Sequence, residues 1–335
     1  MVNTNTHRHG WKRFVAFLLG VICALGILPM QALALSPGQT ASSWIGERYV
    51  GSDGKEYYAP APYTYLVYNS DGTMDVRTSS GGGAYQHYML TASDGTSHQV
   101  YCVESGVAYN ASENTYTSES GSNSRYLDLL PSASRQGIKL TSIYGWKPGA
   151  SLPVSGINED DYKIATQVIL WEYQQQLRSD PYSRHGNGHA SADQYYSVIA
   201  GRPAEKAYNW ILDQVASHST VPSFTSSSQS KAPELELKWD TEKKIYTLTV
   251  TDTNNLNIDL EMLSGSGVSV TRSGNRYTFT SEKMIMDPVT FTFRKDIPVA
   301  EDMLIWGRPG YQTMMTGASD PVSFYVKIKT ETYGT

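Results

Sequence analysis

Cysteine is almost absent from this 335-residue chain: there are two, and Cys23 lies within the first 34 residues. A disulfide framework is therefore excluded. Positive charge is also scarce, with 27 Lys and Arg against 32 Asp and Glu and a formal net charge of −5. That balance disfavours nucleic acid and anionic membrane surfaces as partners. No second hydrophobic segment and no LPxTG-like sorting signal appear toward the C-terminus, and there are no internal repeats. The ending KIKTETYGT carries no obvious stop, so the chain is expected to be a fragment of something longer.

What is present at the other end is an export signal. Arg8, Lys12 and Arg13, with no acid among them, lead into the apolar run FVAFLLGVICALGILPM. Ala32-Leu33-Ala34 supplies the small-x-small pattern that signal peptidase needs, so residues 1–34 are expected to be removed. Loss of that segment leaves 24 basic and 32 acidic residues, a balance of −8, and a single cysteine, Cys102. The expected location is secreted or at a bacterial cell surface. No membrane insertion is expected after cleavage.

The mature length suits two domains. Residues 41–120 read as short β-branched and aromatic strands punctuated by Asp53-Gly54, Asp71-Gly72, Gly81–Gly83 and Asp94-Gly95. Residues 110–124 read as a polar surface loop. Helical spacing follows at 131–146, 158–177, 191–203 and 203–216, with Pro203 at a helix start and Ala204, Ala207, Tyr208, Ile211 and Val215 on one stripe. A Ser-rich linker follows. Beyond it strands recur about every 10 residues with Asn, Gly and Asp turns, the pattern of an antiparallel sandwich. The expected architecture is α+β: a domain of antiparallel strands plus a helical subdomain (41–218), a linker (219–232) and an all-β antiparallel sandwich (233–335). Trp306 and Tyr311 fall in that sandwich, where a packing role is expected. Lys238 has no Asn opposite it in the last strand VSFYVKIKT, so no isopeptide bond is expected.

Cys102 lies in HQVYCVE, where His98, Val100, Cys102 and Glu104 alternate to one side and Gln99, Tyr101 and Val103 to the other. Alone, such a cysteine reads as a small buried hydrophobe. The helix IATQVILWEY adds a second feature. Gln167 shares a stripe with Ile164 and Trp171, and Val168, Ala165, Ile169 and Leu170 make the helix apolar nearly all round. Such a helix is buried. Its glutamine must either hydrogen-bond or react, because an unsatisfied buried amide costs about 1–3 kcal/mol.

YCVES followed 65 residues later by TQVILWEY resembles the thioester domains of Gram-positive surface adhesins. In that family a strand Cys and the Gln of a T-Q-x-A-φ-W helix form an internal thioester. The resemblance covers roughly 45–215 and includes the helix RQGIKLTSIYGW. Ile169 stands where the family usually has Ala, while the Gln-to-Trp spacing is kept. Glu104, on the strand face of Cys102, and His98 and Glu172 are the candidates for proton transfer; the resemblance itself implies a Cys102–Gln167 cross-link framed by Tyr101 and Trp171. It further implies a partner bearing an amine, such as a lysine of a host surface protein, and tethering to the cell wall through a C-terminal region absent here. No cofactor or metal is expected, and turnover is not expected, since the bond would be used once.

Two other readings come from different classes. Cys102 can be merely buried in a non-covalent adhesin or spacer. His185 and His189, spaced H-x₃-H in RHGNGHAS, can be read as zinc ligands or as the base of a Cys/His hydrolase, but their segment is Gly/Ser-rich loop. A strand interior is also a poor place for a hydrolase nucleophile.

Overall fold

The computed structural model of the protein describes residues 35–50, 56–60, 65–69, 71, 73–77, 85–107, 109, 115–256, 258–295 and 302–332. The leader expected at 1–34 lies outside the described residues. Alternation of β-branched and aromatic side chains produces β1 (Thr40–Val50), β2 (Glu56–Pro60), β3 (Tyr65–Tyr68), β4 (Met74–Arg77), β5 (His87–Ala92) and β6 (Ser97–Cys102). The segment expected as a loop at 110–124 instead contains β7 (Thr115–Ser120). Its sequence looks polar because Ser118 points inward: the hydroxyl accepts from the Gln39 N–H at 3.0 Å and donates to the Ser36 carbonyl at 2.9 Å.

After a single helical turn at Arg125–Asp128, three longer helices follow: α1 (Ser132–Tyr144), α2 (Glu159–Gln174) and α3 (Pro203–Ser217). Asn158 and Asp161 form a reciprocal capping box at the start of α2, where Glu159, Asp160 and Asp161 also favour the macrodipole. Every residue from Asp161 to Tyr173 is buried. On one side α1 approaches closely because Gly137 has no Cβ; one placed there would sit 2.2 Å from the Tyr173 ring. On another side α3 lays down its expected stripe of Ala204, Ala207, Tyr208, Ile211 and Val215, all buried. The helix expected at 191–203 is only a 3-10 turn, Tyr196–Val198. Its tyrosines reach away from the segment instead, Tyr195 to Ser105 and Tyr196 to Glu205.

The chain then forms a second seven-stranded sheet from β8 (Glu234–Asp240), β9 (Ile245–Thr251), β10 (Leu260–Ser264), β11 (Ser269–Ser273), β12 (Arg276–Ser281), β13 (Val289–Lys295) and β16 (Ser323–Thr330). It curls around Leu237, Tyr277, Phe279, Phe291, Phe293 and Phe324. One pairing departs from the antiparallel expectation: β16 runs parallel to β8.

The larger correction concerns β14 (Leu304–Gly307) and β15 (Met314–Thr316). The sequence pattern assigns this hairpin to the distal sandwich, but it inserts into the first sheet between β6 and β7. Met314 is opposite Cys102, Met315 opposite Tyr101 and Trp306 opposite Ser118. Because β1 also pairs with both β5 and β7, the ring β1-β5-β6-β15-β14-β7 closes into a barrel. Periodicity cannot reveal this, since a strand pairing over some 200 residues leaves no local trace. Without the hairpin, β6 and β7 would be open edges.

Leu304, Ile305, Trp306, Met314 and Met315 are each at most 1% exposed. Burial of such a side chain contributes about 1.5–3 kcal/mol, so five of them amount to roughly the stability of a whole domain. A fragment ending at residue 218 is therefore expected not to fold, as judged by loss of near-ultraviolet circular dichroism and of a cooperative thermal transition. A stably folded fragment would mean that the hairpin is dispensable. Gly137→Ala is expected to destabilise the full chain by about 1–3 kcal/mol through overpacking against Tyr173, measured by denaturant unfolding.

Candidate functional site

The C-terminal end of β6 lies across α2, and this crossing brings the two sequence-predicted residues together. Cys102 and Gln167 are 0% and 1% exposed. The Gln167 carboxamide is held by two hydrogen bonds to the cysteine's own backbone. The Cys102 N–H donates to Oε1 at 3.1 Å, and Nε2 donates to the Cys102 carbonyl at 2.7 Å. A glutamine gripped this way has a fixed carbonyl dipole and a fixed leaving nitrogen.

The sulfur is oriented as well. Trp171 Nε1–H donates to Sγ at 3.2 Å, and the Glu104 N–H donates at 3.4 Å. Trp171 is one turn after Gln167 on the same helix face. Its ring stacks on Tyr85 at 5.4 Å between centroids and meets Tyr195 at the same separation from the other side. Tyr101, on the opposite side of β6, donates from its hydroxyl to the Trp146 carbonyl at 2.6 Å. The Trp146 N–H in turn donates to Thr166 Oγ1 at 2.9 Å, which fastens the strand to the helix beside Gln167. Tyr126 donates to the Val103 carbonyl.

The proton-transfer candidates do not gather here. Glu104 turns its carboxylate to β15, where Thr313 donates to Oε2 from N–H at 2.9 Å and from its hydroxyl at 2.7 Å. Glu172 faces the other way and pairs with Arg178 at 3.0 Å, both side chains being at most 1% exposed, with Tyr208 as a second donor. Burial raises the Glu172 carboxyl, and Arg178 opposes that shift. His98 is held by Thr96 at 2.8 Å. His185 and His189 are exposed, whereas Cys102 is fully buried. Among the described residues no group of three His, Cys, Asp or Glu is arranged to hold a metal ion.

Burial pushes the Cys102 thiol up to about 12, against the lowering pull of the Trp171 and Glu104 N–H groups. The group that sequence reasoning missed is Lys163. It is 1% exposed, and Nζ donates to the main-chain oxygen of Gln86 and lies 5.8 Å from the Tyr88 ring centroid. Burial pushes its ammonium down to about 7. Its signal was available: Lys163 precedes Gln167 by four residues inside a helix that is apolar all round, the same argument that singled out the glutamine.

Residues 99–217 match a family model described as the thioester domain. Among solved structures, the chain is similar to the thioester domain of the Staphylococcus aureus TIE protein, at 17% identity and a TM-score of 0.51, covering 87% of this chain and 99% of that one. It is also similar to the thioester domain of the Enterococcus faecium TIE86 protein (13% identity, TM-score 0.32, 88% and 95% covered). A third is the N-terminal domain of the Streptococcus pyogenes pilus tip adhesin Cpa (11%, 0.34, 82% and 99%). Only the first is close enough in shape to bear on the fold. No curated protein matches the chain. Residues 99–217 thus match the thioester domain model, within a chain whose fold is similar to that of the Staphylococcus aureus TIE thioester domain.

Proposed function

We propose that Cys102 Sγ and Gln167 Cδ are joined in an internal thioester, and that the chain is the adhesive part of a bacterial surface protein that bonds covalently to an amine on its host ligand. The observation that carries this reading is the two-point grip of the Gln167 carboxamide on the Cys102 backbone, in a site from which water is excluded.

The chemistry follows from that grip. Loss of the thiol proton gives a thiolate, which adds to Cδ. Charge then develops on Oε1, where the Cys102 N–H already donates. Collapse of the tetrahedral centre forms the S–C bond and expels Nε2 as ammonia. Fixed geometry replaces a bimolecular encounter and is worth effective molarities of about 10⁵ M or more. The product is an acyl electrophile shielded by Trp171, Tyr85 and Tyr195. A lysine ε-amine attacking Cδ would form an amide with the Gln167 acyl group and release the Cys102 thiol. The bond is consumed, so the protein acts once and does not turn over. The single cysteine fits this role, because a second thiol would exchange with the first.

The leader at 1–34 supports export, and the family supports display at a Gram-positive surface, with cell-wall tethering through a region beyond this chain. The β-strands of the second sheet would then serve as a spacer. Boundaries near 41–218 and 233–335 remain a useful division of the chain, provided that residues 304–316 are counted with the first unit.

The intact mass of the protein tests the cross-link directly. The wild type is expected to be lighter than its sequence mass by one ammonia, and Cys102→Ala to show the full mass. Methylamine is expected to add once, at Gln167, and to free one thiol. A wild type of full sequence mass, even when freshly purified, defeats the reading. Trp171→Phe keeps the stacking surface but removes the N–H that donates to Sγ. A hydrogen bond to a charged sulfur is worth about 1.5–3 kcal/mol, so its loss is expected to slow thioester formation about 10- to 100-fold, followed by mass spectrometry.

A further inference from the structure

A thiol held at about 12 is not a nucleophile at neutral pH, so the cross-link needs a base in a place where Glu104, Glu172 and the histidines are otherwise engaged. Lys163 is a fully buried titratable side chain on the Gln167 face of α2. It lies one helical turn before Gln167, as Trp171 lies one turn after, so the three side chains form a single ridge against β5 and β6. Its hydrogen bond goes to the Gln86 carbonyl, a neutral acceptor. Tyr88, whose ring centroid lies 5.8 Å from the Lys163 nitrogen, pairs with Val100 on β6, two residues before Cys102. The Lys163 nitrogen is therefore anchored at the start of β5, the strand that pairs with β6 just ahead of Cys102.

We propose, on the thioester reading above, that Lys163 is the proton carrier of the Cys102–Gln167 pair. As the neutral amine it takes the Sγ proton, and the thiolate adds to Gln167 Cδ. The resulting ammonium gives that proton to Nε2 as the C–N bond breaks. The S–C bond is formed, ammonia leaves, and Lys163 is neutral again. In the reverse sense, when an amine opens the thioester, the same group returns a proton to the departing sulfur.

The physical setting suits the role. A lysine ordinarily titrates near 10.4, and only a group whose proton is loosely held near neutrality can both accept and release it. Burial brings Lys163 to about 7. The groups facing it are Cys102 on β6, the Tyr88 ring on β5 and Asp160 on its own helix; Cys102 and Asp160 both pull its pKa upward, less strongly than burial lowers it. The sign follows: below about 7 Lys163 is charged and cannot accept the thiol proton, and above that it can.

The experiment uses the reversibility of ring closure. Ammonia opens the thioester to Gln167 and a thiol, and its removal lets the bond form again, followed as the mass deficit of one ammonia. The wild-type rate is expected to rise with pH to a midpoint near 7 and then level off. Lys163→Met, shown folded by circular dichroism and thermal melting, is expected to close about 100-fold more slowly or worse, with a rate that climbs steadily through pH 9 as the thiol itself titrates. Lys163→Arg keeps the charge but releases no proton, and is expected to be as slow.

A wild-type rate that climbs without levelling overturns the proposal and requires no variant to fold. So does a folded Lys163→Met or Lys163→Arg that closes at the wild-type rate. A mass deficit that resists ammonia while Cys102 stays alkylatable also overturns it, because Lys163 would itself have been acylated. A wild type that never shows the deficit ends the thioester reading instead, so the two failures are distinct.

Discussion

The site depends on one interaction: a side-chain carboxamide paired with both backbone polar groups of a single cysteine, at a position with no access to water. A β-strand interior normally gives its N–H and C=O to neighbouring strands. At Cys102 the strand is ending, and α2 supplies a glutamine in place of the next strand residue. The carboxamide and the strand end satisfy one another, and on the thioester reading the same grip polarises the carbonyl that the sulfur would attack. On that reading, structural stability and reactivity come from the same two hydrogen bonds. This explains why the rest of the domain is built to hold a strand end against a helix, through Tyr101 on Trp146, Trp146 on Thr166 and Tyr126 on Val103.

Holding the strand end is also what the distant hairpin does. Met314 is opposite Cys102, and Thr313 ties down Glu104, the residue whose N–H points at the sulfur. A Cys102 on a free barrel edge would fray, since edge strands carry unpaired backbone groups exposed to water. The return of the chain from the second sheet at residues 304–316 therefore protects the chemistry as well as the fold. A further tie runs the same way: Lys295 at the end of β13 donates to the Ser217 and His218 carbonyls, capping α3 from the second sheet.

Much of this was legible in the sequence, and the misses share a physical cause. Strands with strong alternation, such as ELELKWD and RYTFTS, fall where periodicity places them. Cys102 and Gln167 were legible because each is a polar or reactive side chain where an apolar one is expected. Lys163 obeyed the same rule and was passed over because a lysine in a helix with an acidic first turn reads as a solvated cation. β7 was missed because Ser118 is a polar residue made buriable by backbone partners 79 and 82 residues away. The hairpin was misassigned because its partners are some 200 residues distant, and hydrophobic alternation records that a strand is buried without recording against what.

A reactive acyl bond must satisfy opposed demands: dryness so that it persists, and access so that an amine can use it. The arrangement around Cys102 divides these demands between backbone and side chains. On the β5, β15 and α2 sides the walls are backbone elements, which cannot part without breaking sheet or helix hydrogen bonds. On the Trp171 side the cover is made of side chains. Trp171 is 9% exposed, and half-buried Tyr195 lies against it on a segment with a single 3-10 turn, its hydroxyl donating to Ser105. Displacing the Tyr195 side chain breaks side-chain hydrogen bonds and a ring contact, less than parting a strand would cost. On the thioester reading, the approach for an incoming amine is therefore over Trp171, and a ligand that competes for Tyr195 would uncover the bond while its own amine is already close enough to outpace water.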